Sequence, residues 1–144
     1  WYLTHACSPV TDGLMPYREA DLLRNILDRA DAALKEGKNQ ATLRFGHESC
    51  LLPLVALLEL NHYGESYPDV EKLSEQWRAY DIFPMASNVQ FVFFHKKGSN
   101  DVLVKVLLNE KEAKLPVKTD VAPYYHWKDV ESYYREKLDK YQHI

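Results

Sequence analysis

Ala41-Thr42-Leu43-Arg44-Phe45-Gly46-His47-Glu48-Ser49-Cys50-Leu51-Leu52-Pro53-Leu54 is the stretch on which the fold turns. Residues 41–45 are short, partly β-prone and bounded by Gly46, a pattern that predicts a strand running into a tight turn. The turn carries His47 and Glu48. Ser49 is a candidate cap for the following helix, Pro53 fits if it lies in the first turn, and the apolar run Leu51 to Leu60 reads as a buried helix. A strand that delivers a turn into a helix suggests an α/β sheet, whose ligands bind beyond the carboxyl ends of the strands. Any polar pair at that turn would stand in the same place.

Upstream, from Tyr17 to Glu36, apolar residues fall at Leu22, Leu23, Ile26, Leu27, Ala30, Ala33 and Leu34. That is amphipathic-helix spacing, and Pro16 and Gly37 stand where a helix starts and stops. Downstream, residues 61–84 turn polar and read as a surface insertion, with a helix expected around Val70 to Tyr80 between Pro68 and Pro84. Val89 to Phe94 and Val102 to Leu108 are rich in β-branched and aromatic residues. Lys96-Lys97-Gly98-Ser99-Asn100 joins them with turn chemistry, so a β-hairpin is expected. Trp127, Val130, Tyr134, Leu138 and Tyr141, preceded by Pro123, predict a last helix. No repeat or low-complexity segment interrupts the chain.

At 144 residues the chain can bury a hydrophobic core and is read as one domain. Leu51 to Leu60 is too short to cross a bilayer. A formal net charge of -3, with charges evenly mixed, supplies no basic face for a phosphate backbone, so no nucleic-acid partner is expected. Cys7 and Cys50 fit no metal or redox spacing; they could pair or be buried thiols. The opening Trp1-Tyr2-Leu3 has no initiator Met, basic n-region or signal-peptide core, and reads as an internal cut.

A turn entering a helix N-terminus offers free backbone N–H groups and a positive dipole end, both suited to phosphate. A histidine there can donate to a phosphoryl oxygen, and a partly buried carboxylic acid can pass a proton to a leaving alkoxide. Arg44 presents a fork matched to phosphate, although strand alternation can turn it to the other face. The bland alternative is a helix cap, with Glu48 favoured by the dipole and His47 bonded to backbone. His5, His62, His95, His126 and His143 share no metal-ligand spacing and read as isolated surface residues, so no metal site is expected. Ser8, Ser49, Ser87 and Cys50 lack a nucleophile-elbow context. Tyr124, Tyr125, Trp127, Tyr133 and Tyr134 read as packing groups.

Residues 43–48, followed by Leu51-Leu52-Pro53-Leu54, resemble the C-terminal part of histidine acid phosphatases, most closely the multiple inositol polyphosphate phosphatases. Pro84-Met85-Ala86-Ser87-Asn88 before the first hairpin strand and Val106-Leu107-Leu108-Asn109-Glu110-Lys111 ending the second match the same pattern in the same order. The resemblance covers roughly residues 41–135, and the helix expected upstream is compatible with the same α/β domain.

The resemblance implies the C-terminal part of a three-layer α/β sandwich, phosphoglycerate mutase-like, with a β-hairpin and a C-terminal helix. Residues 1–144 would form a single partial domain. It also implies metal- and cofactor-free hydrolysis of phosphomonoesters of inositol polyphosphates, phytate among them, through a phosphohistidine. An Arg-His-Gly motif would supply the nucleophile, His47 would contact phosphate and Glu48 would protonate the leaving group. In the inositol phosphatases an Ala separates the His from the Glu. Here the Glu follows directly, where related acid phosphatases place Asp. No Arg-His-Gly occurs in these residues. The chain is therefore expected to be a fragment, inactive alone, whose partners are the N-terminal part of the same protein and a phosphorylated small molecule. Exposed sheet edges would favour self-association. The family implies a secreted or periplasmic protein. A non-catalytic α/β anion-binding module is the alternative.

Overall fold

The computed structural model describes residues 1–141. The chain opens with a short helix α1 (Tyr2–His5) and two 3₁₀ turns, Pro9–Thr11 and Met15–Glu19, that lead into α2 (Ala20–Glu36). Pro16 lies in the first turn of the second 3₁₀ segment, and Gly37 ends α2 in the left-handed conformation at φ 65°, as expected of those two residues. Leu23 and Leu27 are its buried face.

The expected strand at 41–45 does not form. Residues 38–47 have no regular structure and all are exposed, Leu43 at 75% and Phe45 at 93%. A β-strand exists only by pairing its backbone, and no described strand pairs with this segment.

Helix α3 runs Glu48–Leu57 with His47 as its N-cap, so Ser49 lies inside the helix instead of capping it. Pro53 therefore stands in the second turn and removes one internal hydrogen bond. Burial of Leu52, Pro53, Leu54, Val55, Ala56 and Leu57 offsets that loss. The helix ends in a Schellman arrangement: the Leu60 N–H donates to Val55 O at 3.2 Å and the Glu59 N–H to Ala56 O at 3.0 Å, with Glu59 at φ 53°. Gly64 packs on that corner. A Cβ at Gly64 would lie 2.6 Å from Glu59 Cγ and 2.8 Å from its Cα.

The polar segment holds two single-turn helices, α4 (Leu73–Gln76) and α5 (Ala79–Ile82), in place of one helix over 70–80. The break is Trp77, whose extended backbone (φ -138°, ψ 122°) sends the indole into the core, edge-on to Tyr2 at 5.2 Å. With Tyr63, Trp77 and Ile82 all buried, the segment supplies core and is more than a surface insertion. Among the described residues the Trp77 indole N–H has no hydrogen-bond partner.

The hairpin forms as expected from β1 (Val89–His95) and β2 (Val102–Leu108), antiparallel from Val89↔Leu108 to His95↔Val102. The other edge of β2 takes β3 (Lys111–Glu112) at one end and β4 (Tyr125–His126) at the other, so the described sheet is antiparallel throughout. Asn109 fastens the hairpin base. Its backbone N–H donates to Asn88 O at 2.9 Å, its side-chain amide donates to Ile82 O at 2.9 Å, and its Oδ1 accepts from the Asn88 N–H at 3.1 Å.

Helix α6 (Trp127–Tyr141) buries Trp127, Val130, Tyr134 and Leu138 as its spacing requires. Val104 and Val106 of β2, Leu23 and Leu27 of α2 and most of α3 complete the core with it. Tyr134 Oη donates to Leu58 O at 2.7 Å. On the outside, Arg135 binds Asp28 at 2.9 Å, Asp31 at 2.8 Å and Glu131 at 2.7 Å, while the Trp127 indole donates to Asp31 at 2.9 Å. These contacts brace α6 to α2. Burial works to raise the Asp31 carboxyl, but hydrogen bonds from its neighbours, Trp127 and Arg135 among them, outweigh it and hold the group below the usual aspartate range.

Candidate functional site

The fold places His47 at the cap of α3 and Glu48 at its first helical position, so adjacency in sequence becomes adjacency at one helix N-terminus. His47 has extended backbone (φ -111°, ψ 163°), and its carbonyl accepts from the N–H groups of Cys50 at 3.0 Å and Leu51 at 3.1 Å. Its ring makes no capping bond. The His47 side chain is therefore not consumed by the helix, contrary to the bland reading of a backbone-bonded cap. Glu48 is the acidic residue of the first turn, where the helix dipole favours negative charge.

Both side chains are exposed, so the burial expected for Glu48 does not occur among the described residues. The unpaired segment 41–46 leaves that side of the helix N-terminus open. Arg44 is drawn away from the pair, its Nη2 donating to Asn25 Oδ1 on α2 at 2.7 Å. Its hydrogen bond pins the extended segment to α2. Alternation along the chain then leaves Leu43 and Phe45 facing outward.

Cys7 and Cys50 are both free thiols, Cys7 half-buried and Cys50 exposed. Burial pushes the Cys7 thiol up. His5 bonds Thr4 at 2.7 Å, and burial, helped by Arg18, lowers its basicity. His62 contacts Gln76 O at 3.0 Å and His95 contacts Ser99 O at 2.8 Å. His143 lies outside the described residues. Among the described residues no group of histidine, cysteine and carboxylate side chains could hold a metal ion.

His126 does not behave as an isolated surface histidine. Asp101 and Asp120 flank its ring, from positions 25 and 6 residues earlier in the chain. Nothing local announces the Asp101 contact, because the β2–β4 pairing creates it.

An open recess lined by Glu59, Asn61, Gly64, Glu65, Leu115 and Pro116 lies at the far end of α3, about 15 Å along its axis from His47 at 1.5 Å per residue. It is acidic and suits no phosphate.

The model of the histidine phosphatase superfamily (branch 2) matches residues 18–109. Human multiple inositol polyphosphate phosphatase 1 is 28% identical over 134 residues, covering 84% of this chain and 27% of that protein. The crystal structure of multiple inositol polyphosphate phosphatase from Bifidobacterium longum, in complex with inositol hexasulfate, superposes with a TM-score of 0.71 at 28% identity, over 82% of this chain and 25% of that one. The chain thus spans about a quarter of the length of these relatives. His47, Glu48 and the hairpin all fall within the family match, and the α/β class, the hairpin and the C-terminal helix agree with the family's fold. The chain belongs to branch 2 of the histidine phosphatase superfamily.

Proposed function

We propose that this chain is the acid-bearing part of a phosphomonoesterase acting on inositol polyphosphates, phytate-like substrates among them. Glu48 is its proton donor and His47 a phosphate contact. The observation that carries the reading is the His47–Glu48 pair at the N-terminus of α3 within the family match, both side chains exposed and the His47 ring making no capping bond. The relatives named for inositol polyphosphates, one of them holding inositol hexasulfate, support the substrate class.

In this scheme a histidine from an Arg-His-Gly segment, absent from these 144 residues, attacks phosphorus. The P–O bond to the inositol oxygen breaks, and Glu48 gives that oxygen its proton. His47 and the free N–H groups of the first turn of α3 hold the phosphoryl oxygens as negative charge builds on them. Water then gives a proton back to Glu48 and attacks the phosphohistidine, which releases phosphate and restores the histidine. Arg44, bonded to Asn25, has at most a secondary part in substrate binding. The chain alone lacks the nucleophile and is inactive, since removing a covalent catalyst removes the reaction path.

The N-terminal part of the same protein is the proposed partner. It would also cover Leu43 and Phe45, whose exposure favours self-association of the chain by itself. Among the described residues no helix is long and apolar enough to cross a membrane. Secretion or a periplasmic location follows the family.

Phosphate release from phytate by the protein joined to an Arg-His-Gly-bearing segment is the test. Glu48→Gln in that protein should cost about 10²–10⁴-fold, the usual contribution of a positioned acid. A loss under about tenfold would remove Glu48 from the acid role. The absence of any in-frame Arg-His-Gly upstream would favour the non-catalytic anion-binding module.

A further inference from the structure

His126 occupies β4 opposite Leu103 of β2. Its Nδ1 lies 3.0 and 3.2 Å from the two carboxylate oxygens of Asp101, and its Nε2 lies 2.7 Å from Oδ1 of Asp120. A neutral imidazole has one N–H, and its other nitrogen is an acceptor. A bare ring nitrogen at hydrogen-bond distance from a carboxylate sets lone pair against lone pair. Both contacts can be favourable together only when the ring is an imidazolium.

The aspartates belong to different segments. Asp101 closes the β1–β2 turn, where its N–H donates to Ser99 Oγ at 3.1 Å and His95 contacts Ser99 O. Asp120 sits in the loop before β4, beside Thr119, whose hydroxyl donates to Tyr124 O at 2.6 Å and accepts from the Val121 N–H at 3.2 Å. We propose that His126 is a pH-operated clasp: as an imidazolium it joins the β1–β2 turn to the loop before β4, and on losing a proton it releases one of them.

The charged groups acting on the ring are these two aspartates. Lys105, two residues along β2 from Leu103 and so on the same sheet face, is engaged by Glu112 at 3.3 Å and lies over the Tyr124 ring. The hydrogen bond with Asp120, followed by that with Asp101, raises the His126 basicity above the ordinary histidine value of 6.5. The sign follows. A folded-state value above the unfolded one gives stability that is fully present below the unfolded value and is lost as pH rises through the folded one. The site is open to solvent, so added salt should weaken the clasp.

The test is a titration of the 15N-labelled full chain between about pH 5 and pH 9, which brackets the ordinary histidine range. Long-range 1H–15N spectra report the His126 nitrogens, and amide exchange reports the loop. The His126 midpoint should lie above 6.5, with both nitrogens protonated below it. Asp101→Asn and Asp120→Asn should each lower it. After correction for intrinsic exchange, protection at Val121 or Asp101 should fall several-fold as pH passes that midpoint, and His126→Gln should abolish the step. A midpoint at or below the ordinary value, or amide protection that ignores the titration, overturns the proposal.

Discussion

Replacing Gly64 by alanine should destabilise the protein, although glycine-to-alanine changes at unstrained sites usually do the reverse. The new Cβ would stand 2.6 Å from Glu59 Cγ and 2.8 Å from both Glu59 Cα and Cβ. Carbon atoms prefer separations of about 3.5–4.0 Å, so an overlap near 1 Å has to be relieved. Glu59 has little room to yield. Its backbone is the left-handed residue of the Schellman corner, and its carboxylate is held by the Tyr133 hydroxyl and by Lys137 at 3.1 Å. Lys137 also donates to Leu57 O at 2.7 Å, so a shift of Glu59 disturbs the end of α3 as well.

Overpacking of this kind costs about 1–3 kcal/mol, and the lower unfolded-state entropy of alanine returns about 0.4–1 kcal/mol. Contact with a backbone atom argues for the upper part of the range, leaving a net loss of about 1–2.5 kcal/mol. For a chain of this size that lowers Tm by roughly 3–9 °C. Urea unfolding followed by circular dichroism measures the loss, and the double variant Glu59→Gly/Gly64→Ala tests its origin. Removing the Glu59 side chain deletes two of the three close contacts and gives the left-handed position its preferred residue. The second substitution should then cost clearly less than it does alone. A neutral or stabilising Gly64→Ala, or two strictly additive losses, would show that the Glu59 contact does not limit this position.

Tyr134→Phe leaves the Leu58 carbonyl without its 2.7 Å donor in a fully buried setting, and should cost about 1–2 kcal/mol in the same unfolding assay with m unchanged. Arg135→Met removes three partly exposed ion pairs and leaves Asp28, Asp31 and Glu131 crowded together. A loss of about 1–2 kcal/mol is expected, reduced by salt. Because the folded-state value of Asp31 is depressed, its contribution is present above the unfolded value of 3.8 and disappears as pH falls through the folded one. Unfolding curves collected at falling pH should therefore lose stability less steeply in Asp31→Asn than in the parent chain.

The features legible in one dimension are the local ones. The 3.6-residue spacing of Trp127, Val130, Tyr134 and Leu138 specifies which side of α6 is buried, and the hairpin follows from its β-branched runs and intervening turn. The ordered motifs around His47-Glu48, Pro84-Met85-Ala86-Ser87-Asn88 and Leu108-Asn109-Glu110 pointed to the family, because a motif is read in one dimension. Residues 41–45 carry strand-like composition, yet a strand is a property of two segments, and no described neighbour supplies the second ladder. Trp77 broke an expected helix because burying its indole against Tyr2 demanded an extended backbone there, a tertiary gain that overrode helix propensity. The cap of α3 moved from Ser49 to His47, and with it the pair came to lie at the helix N-terminus with both side chains exposed. The two aspartates around His126 met only because β4 pairs with β2, a contact between segments that no periodicity encodes.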